Sequence, residues 1–378
     1  MWEPFADAAS IERIAETVQQ APSVFNTQPW SFRIVAADRI ELRVKGERDG
    51  VDLGHWNRWL RSDICRPGPR AREVAISCGA ALFNLRLAIR VAGHDLAVWL
   101  LPDPERDGAL LASVEIVTGR IKKPTGEEQE LFEAIWRRHT NRWPYTIIPA
   151  PLPIIVAMEG AAAREGAWLR LLRASEARSW MRLAAKADRD PAFRPLFPDH
   201  VSLADYGPAP KNRYPRTRKD FWRADEKLRF ERKPQLMALS TDDDQPVDWL
   251  RAGQALQRAI LTGTCESVSA AYGLAARYHA PWRYGFPVRR HLLKHDDVAR
   301  NGVSVSFLTQ PLERDDIAAV PRRWPWRWPF PELPQTVMRV GYARVAAPAA
   351  PHLPPDFVDA RSPGGPDGDR RPERRWAM

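Results

Sequence analysis

The chain has 378 residues, 44% hydrophobic and 28% charged, a balance that excludes a disordered or fibrous protein and fits two ordinary domains or one duplicated unit. A net charge of +10 and a pI near 9.8 would suit a nucleic-acid partner, but Arg and Lys are spread along the whole length with acids interleaved, so solvated surface is expected and nucleic acid is disfavoured. The three cysteines, Cys65, Cys78 and Cys265, are an odd number without metal-ligand spacing, which argues against a disulfide framework or a zinc site, and neither a leader at Met1 nor an uninterrupted membrane-crossing run is expected, pointing to a soluble, cytoplasmic chain with no membrane partner.

Ile11, Ile14, Ala15, Val18 and Ala21 recur at helical spacing, and Pro22 removes a backbone donor and disfavours helix before it, so a helix ends at Ala21. Ser23, Asn26, Thr27 and Gln28 follow within six positions, closed by Pro29 and Trp30 and a strand-like run to Val35. Such a turn offers amides and hydroxyls to the edge of a planar heterocycle while Trp30 anchors it in a core; alone it would equally read as a plain polar connection. Phe32 and Ile34, then Ile40, Leu42 and Val44, alternate as a hairpin. After a polar connection from Gly54 to Arg70, residues Ala71 to Val91 carry a helical apolar stripe, which Gly93 ends. Asp95 to Leu101 and Leu111 to Val117 read as strands. Gly126 to Arg138 reads as a helix whose acids come first and bases last, as the helix dipole favours.

The second half repeats this outline. Helices are expected at Pro151 to Arg164, Ser175 to Arg189 and Asp248 to Ser267, and strands at Ala167 to Leu172 and Gln235 to Ser240. Gly253-Gln254-Ala255-Leu256 can be laid on Gly79-Ala80-Ala81-Leu82, each in a long helix after a polar loop. Two halves, 1–125 and 126–345, follow from that order. Proline-rich 190–233 reads as a lid, basic and aromatic 275–300 as an insertion, Trp324 to Pro329 as a proline-broken aromatic loop, and 346–378 as a disordered tail. The Asp242-Asp243-Asp244 run reads as a solvated turn, and neither the histidines nor any glycine motif match metal, hydrolase, P-loop or Rossmann patterns.

Two strings carry a resemblance. Pro22 to Trp30 resembles the Pro-Ser-x-x-Asn-x-Gln-Pro-Trp signature of the nitroreductase-like flavoproteins, in which this turn touches flavin mononucleotide (FMN). Arg138-His139-Thr140-Asn141-Arg142 resembles the Arg-x-Ser-x-Arg/Lys segment that binds the FMN phosphate and pyrimidine edge; on its own it is a possible anion clamp or a solvated helix end. Together with Ser77 to Leu82, Trp249 to Gly253, Phe307 to Glu313 and Pro334 to Tyr342, the pattern is similar to the Acg-like branch, a single-chain pseudo-dimer. The resemblance implies an α+β nitroreductase-like fold, two fused halves each with an antiparallel sheet flanked by helices, in a monomer acting as a pseudo-dimer. It implies FMN held by Pro22, Ser23, Asn26, Gln28, Arg138, His139, Thr140, Arg142, Thr309 and Gln310, with no catalytic side chain and no metal. NAD(P)H and a small nitro- or quinone-like electron acceptor are the implied partners, and the implied activity is an FMN-dependent NAD(P)H oxidoreductase. The alternative is a non-catalytic FMN store or sensor under the lid. One departure stands out: family chains tend to place an Arg pair after the last Gly-Tyr strand, where this chain has Pro351-His352-Leu353-Pro354.

Overall fold

The apolar stripe at Ile14, Ala15 and Val18 is buried along one face of α1 (Ala8–Gln19), and the chain turns directly into β1 (Trp30–Ala36) and β2 (Arg39–Val44). The computed structural model describes residues 8–23, 26–45, 69–141, 145–177, 235–278, 303–308, 333–342 and 355–360. Strands β1 and β2 pair antiparallel in the register Trp30↔Val44, Phe32↔Leu42 and Ile34↔Ile40, which puts all six of these side chains on the buried face, as a period of two requires. The long helix α2 (Pro69–Val91) follows, then β3 (His94–Leu100) and β4 (Leu110–Ile121). After α3 (Gly126–Arg137) and α4 (Leu152–Ala163) come β5 (Trp168–Leu171), β6 (Gln235–Thr241), the helix α5 (Pro246–Tyr278), β7 (Val303–Leu308) and β8 (Leu333–Tyr342). Thr125 caps α3 reciprocally with Glu128, each binding the other's backbone N–H, so the helix starts where its Ser/Thr-x-x-Glu pattern places it.

The architecture is α+β, with two sheets flanked by helices, and the order of strands is repeated. The first sheet runs β1-β2-β4-β3 and the second β5-β6-β8-β7, so strand, strand, helix, strand, strand occurs twice with one topology. The first sheet gains a fifth strand, β9 (Phe357–Asp359), which pairs parallel with β1, so this sheet is not purely antiparallel. That strand lies within the Pro-rich segment that follows residue 346. Phe357 stacks on Phe32 with ring centroids 4.8 Å apart, and Lys45 reaches the Asp356 carboxylate at 3.8 Å. An aromatic anchor and a strand ladder outweigh the local Pro-rich composition here.

The two repeats meet along α2 and α5, which cross at Gly79 and Gly253. A Cβ on Gly79 would collide with the Leu250 carbonyl oxygen, and one on Gly253 would collide with the Ile76 carbonyl oxygen. Each glycine therefore meets the backbone three residues before the other, the reciprocal contact that a two-fold relation produces. The four-residue correspondence between the helices falls at this crossing. Around it the fully buried Trp30, Trp249, Leu82 and Leu85 belong to one apolar core shared by both sheets. Each such side chain contributes about 1.5–3 kcal/mol by leaving water. The helix Arg72–Val91 is long and apolar enough to cross a membrane by length and composition, although Arg86 and Arg90 interrupt its apolar run, and 83% of its apolar window is buried inside this fold. A smaller cluster of Phe83, Leu87, Leu131, Ile135 and Leu261 seats α3 against the crossing helices.

Asp244 is likewise not the solvated turn residue that its acidic run suggested. Its carboxylate accepts from Trp249 Nε1 at 2.7 Å and Gln335 Nε2 at 3.3 Å and pairs with Arg72, whose guanidinium lies over the Trp249 ring. The N-terminal ends of α2 and α5 are thereby pinned together by charge-assisted hydrogen bonds. Cys65, residues 190–233, residues 279–300 and Trp324 to Pro329 lie outside the described residues.

Candidate functional site

Pro22 is buried and α1 stops before it. The Gln20 amide closes onto the Thr17 carbonyl at 3.3 Å and the Ala21 amide onto the Val18 carbonyl at 3.0 Å, a tightened last turn. The polar turn then folds on Ser23. Its carbonyl accepts from the Asn26 amide at 3.1 Å, and its hydroxyl oxygen accepts from the Gln28 amide at 3.0 Å. Asn26 and Gln28 take φ values of 57° and 48°, left-handed conformations that cost on the order of 1–3 kcal/mol each and are commonest at functional turns. Gln28 is fully buried, and its Nε2 donates to the Asn26 carbonyl at 3.4 Å, whereas Ser23, Asn26 and Thr27 remain half-exposed. The turn is fixed from behind, because the Pro29 carbonyl accepts from the Lys45 amide at 3.0 Å and from Cys78 Sγ at 3.7 Å. Burial pushes the Cys78 thiol far up against a smaller opposing pull from Lys45, so it stays protonated and unreactive.

The second string reaches the same corner. Arg138 leaves the end of α3 in an extended conformation, its amide still bonded to the Ala134 carbonyl. Its Nη2 donates to the Gln20 carbonyl at 2.9 Å and its Nη1 to Thr140 Oγ1 at 3.3 Å. Arg138 is thus buried against the end of α1, unlike a solvated helix end. Residues 118 apart in sequence are joined by this one bond. His139 and Thr140 are half-buried beside it. Burial, then the Arg138 charge, holds the His139 imidazole below its ordinary value, so near neutrality it is an uncharged donor and acceptor. Beyond it the Asn141 carbonyl accepts from the Tyr145 hydroxyl at 3.1 Å, and the Thr146 amide donates to the Tyr342 carbonyl at 2.7 Å. The buried Arg339 guanidinium lies 4.0 Å from the Tyr145 ring centroid, a close cation–π contact. A Cβ on Gly341 would stand 2.9 Å from that ring, so this residue must be small.

Ser23, Asn26 and Gln28 share one bonded turn after Pro22, and Arg138, with His139 and Thr140 following it, is tied to Gln20, two residues before that proline. Arg142, Thr309 and Gln310 lie outside the described residues. The sequence reading missed Lys45, whose amide holds the Pro29 carbonyl, and the buried pair Asn84 and Gln257, which bonds the Thr17 carbonyl in α1; an Asn within the apolar run Ala80 to Leu87 was the available signal for Asn84. Chemically, the corner joins amides and hydroxyls in a rigid turn to a buried cation, a donor set suited to a polar heterocycle carrying an anionic group.

No family model matches the chain. A stretch of 170 residues, 45% of the chain, is 32% identical to a Mycobacterium tuberculosis H37Rv protein named "Putative NAD(P)H nitroreductase", and covers 44% of it. The counterpart in strain CDC 1551 matches to the same extent. A shorter stretch, 129 residues and 33% of each chain, is 29% identical to an H37Rv protein named "Uncharacterized protein". The matched stretches thus span less than half the length of these relatives.

Proposed function

We propose that the chain is an FMN-binding oxidoreductase of nitroreductase type, passing two electrons from NAD(P)H to a nitro- or quinone-like acceptor, with one cofactor site between two fused, nitroreductase-like halves of the Acg-like kind. The observation that carries this reading is the bond from Arg138 to the Gln20 carbonyl, which brings the second family-like string to the helix end two residues before the first. The repeated strand order and the reciprocal Gly79–Gly253 crossing support the pseudo-dimer. The names of the relatives support the reaction class.

The residues present fit the cofactor. Asn26, held at a positive φ by the bonds on Ser23, can donate and accept at a pyrimidine edge; Thr27 adds a hydroxyl. Arg138 supplies fixed positive charge, and the resemblance assigns Arg142, four residues on, to the phosphate. The neutral His139 adds hydrogen bonding without raising the local charge further. Such a cofactor supplies reversible two-electron transfer between a nicotinamide and an acceptor when bound. The chain's own part is to bind, orient and tune: no side chain acts as a nucleophile, and positive charge near the pyrimidine edge favours the electron-rich state.

Anaerobic mixing with NADPH or NADH tests the reaction, with the visible absorbance of the bound flavin as readout. Bleaching, then recovery on adding a nitroaromatic or quinone, is expected. Bleaching by dithionite but by neither nicotinamide would replace the enzyme with a flavin holder.

A further inference from the structure

Asn84 is fully buried in the middle of α2, among Ala80, Ala81, Leu85 and Ala88, where an amide has no solvent to compensate its desolvation and Asn is a poor helix former. Its two polar atoms are both used. Nδ2 donates to the Thr17 carbonyl at 3.0 Å, and Oδ1 accepts from Gln257 Nε2 at 2.8 Å. Thr17 stands in the last turn of α1, where the Ala21 amide is turned to Val18 and the Thr17 carbonyl keeps one long backbone bond, from the Gln20 amide at 3.3 Å, beside the one from Asn84. Asn84 therefore caps the end of α1 from another helix. Gln257, also fully buried, belongs to α5 in the second repeat. The Thr17 carbonyl can only accept, which sets the Asn84 amide with Nδ2 towards it, and Gln257 Nε2 satisfies the remaining Oδ1.

We infer that Asn84 is a positioning residue for the cofactor turn, and that Gln257 holds the Asn84 side chain in place across the seam between the repeats. The relay runs from Gln257 to Asn84 to the Thr17 carbonyl, five residues before Pro22. The Gln20 carbonyl is held in turn by Arg138. Both anchors of the helix end thus come from outside the segment that carries the turn, and the turn's distance from the clamp is fixed by them. The inference rests on the reading of this turn as the flavin-contacting one.

The test compares Asn84→Leu, Gln257→Leu and the double variant with the unaltered chain. Hydrogen exchange by mass spectrometry on the apoprotein reads the turn directly, without any flavin. Peptides covering residues 20–29 are expected to exchange roughly tenfold faster in the variants, while those covering 74–89 keep their protection. FMN and riboflavin titrations are expected to show the same loss for both ligands, about fivefold, the scale of one buried hydrogen bond. A residue that acts on the turn weakens both ligands alike, because the phosphate is untouched. The double variant is expected to equal Asn84→Leu alone, since Gln257 acts through Asn84. Should Asn84→Leu fail to fold, Gln257→Leu carries the same measurements. Unchanged exchange at 20–29, exchange raised equally across α2, or additive losses would each overturn the inference. Failure of the unaltered chain to bind either flavin would instead remove the functional reading, and the exchange data would decide the positioning role alone.

Discussion

Placing alanine at Gly253 tests the seam on which both halves of the site depend. A Cβ there would strike the Ile76 carbonyl oxygen and lie 2.8 Å from Gly79 Cα and 2.9 Å from the Ala80 amide nitrogen. All three are backbone atoms of a helix, so no side chain can rotate away. Ordinary carbon contacts lie at about 3.5–4.0 Å, so α2 and α5 must part by roughly 1 Å. Overpacking of this kind costs about 1–3 kcal/mol and occasionally more, and a rigid seam belongs at or above the upper end. At about 2.1 cal/mol/K per residue a chain of 378 residues shifts by roughly 1.3 °C per kcal/mol, so the midpoint of thermal unfolding is expected to fall by about 4 °C. Gly79→Ala meets the reciprocal contact and should behave alike. Gly160, exposed in α4 with nothing within 4 Å of an added Cβ, is the control. There alanine should stabilise by about 0.5–1 kcal/mol through helix propensity. Differential scanning fluorimetry with denaturant titration reads all three. A Gly253→Ala protein as stable as the parent would refute the close crossing.

Arg138→Ala should weaken FMN by about 1.5–3 kcal/mol, the worth of a hydrogen bond to a charged group, and riboflavin measurably too, because the bond to the Gln20 carbonyl is lost along with the charge; fluorescence titration of both flavins checks this, and unchanged affinities would place Arg138 away from the ligand. His139 is held below its ordinary value near 6.5, so the unfolded chain takes up its proton first as the pH falls. Its contribution to stability is therefore complete above about pH 6.5 and declines as the pH drops through the unfolded and then the folded value. Denaturant midpoints for the parent and His139→Gln should converge towards lower pH, and parallel profiles would remove His139 as a source. Phe357→Ala should lower stability by about 1–3 kcal/mol through lost stacking and burial at β1, measured by urea unfolding; no change would make β9 dispensable.

The elements with strong local signals were readable in the sequence. The Ile14–Val18 stripe, the hairpin alternation at Phe32 to Val44 and the stop at Pro22 depend on periodicity and backbone sterics alone. The parallel strand at Phe357 was not readable, since three residues in a Pro-rich tail carry no pattern until Phe32 is there to stack on. Asp244 was misjudged for a related reason: its partners Arg72 and Gln335 come from 172 and 91 residues away. At the site, Arg138 and the turn were each visible as strings. The bond from Arg138 to the Gln20 carbonyl and that from Gln257 to Asn84 join residues 118 and 173 apart, separations that no local pattern reports. Local chemistry names candidate groups, while long-range packing decides which of them meet.

The account's central claim is one cofactor site per chain, built from the turn and the Arg138 clamp. Titration of the apoprotein with FMN, followed by absorbance and by flavin fluorescence, tests it most directly when repeated on Asn26→Ala and on Arg138→Ala. The account predicts saturation at one FMN per chain and weaker binding by both variants. Saturation at two per chain, no uptake even with excess cofactor, or uptake indifferent to both substitutions would contradict it.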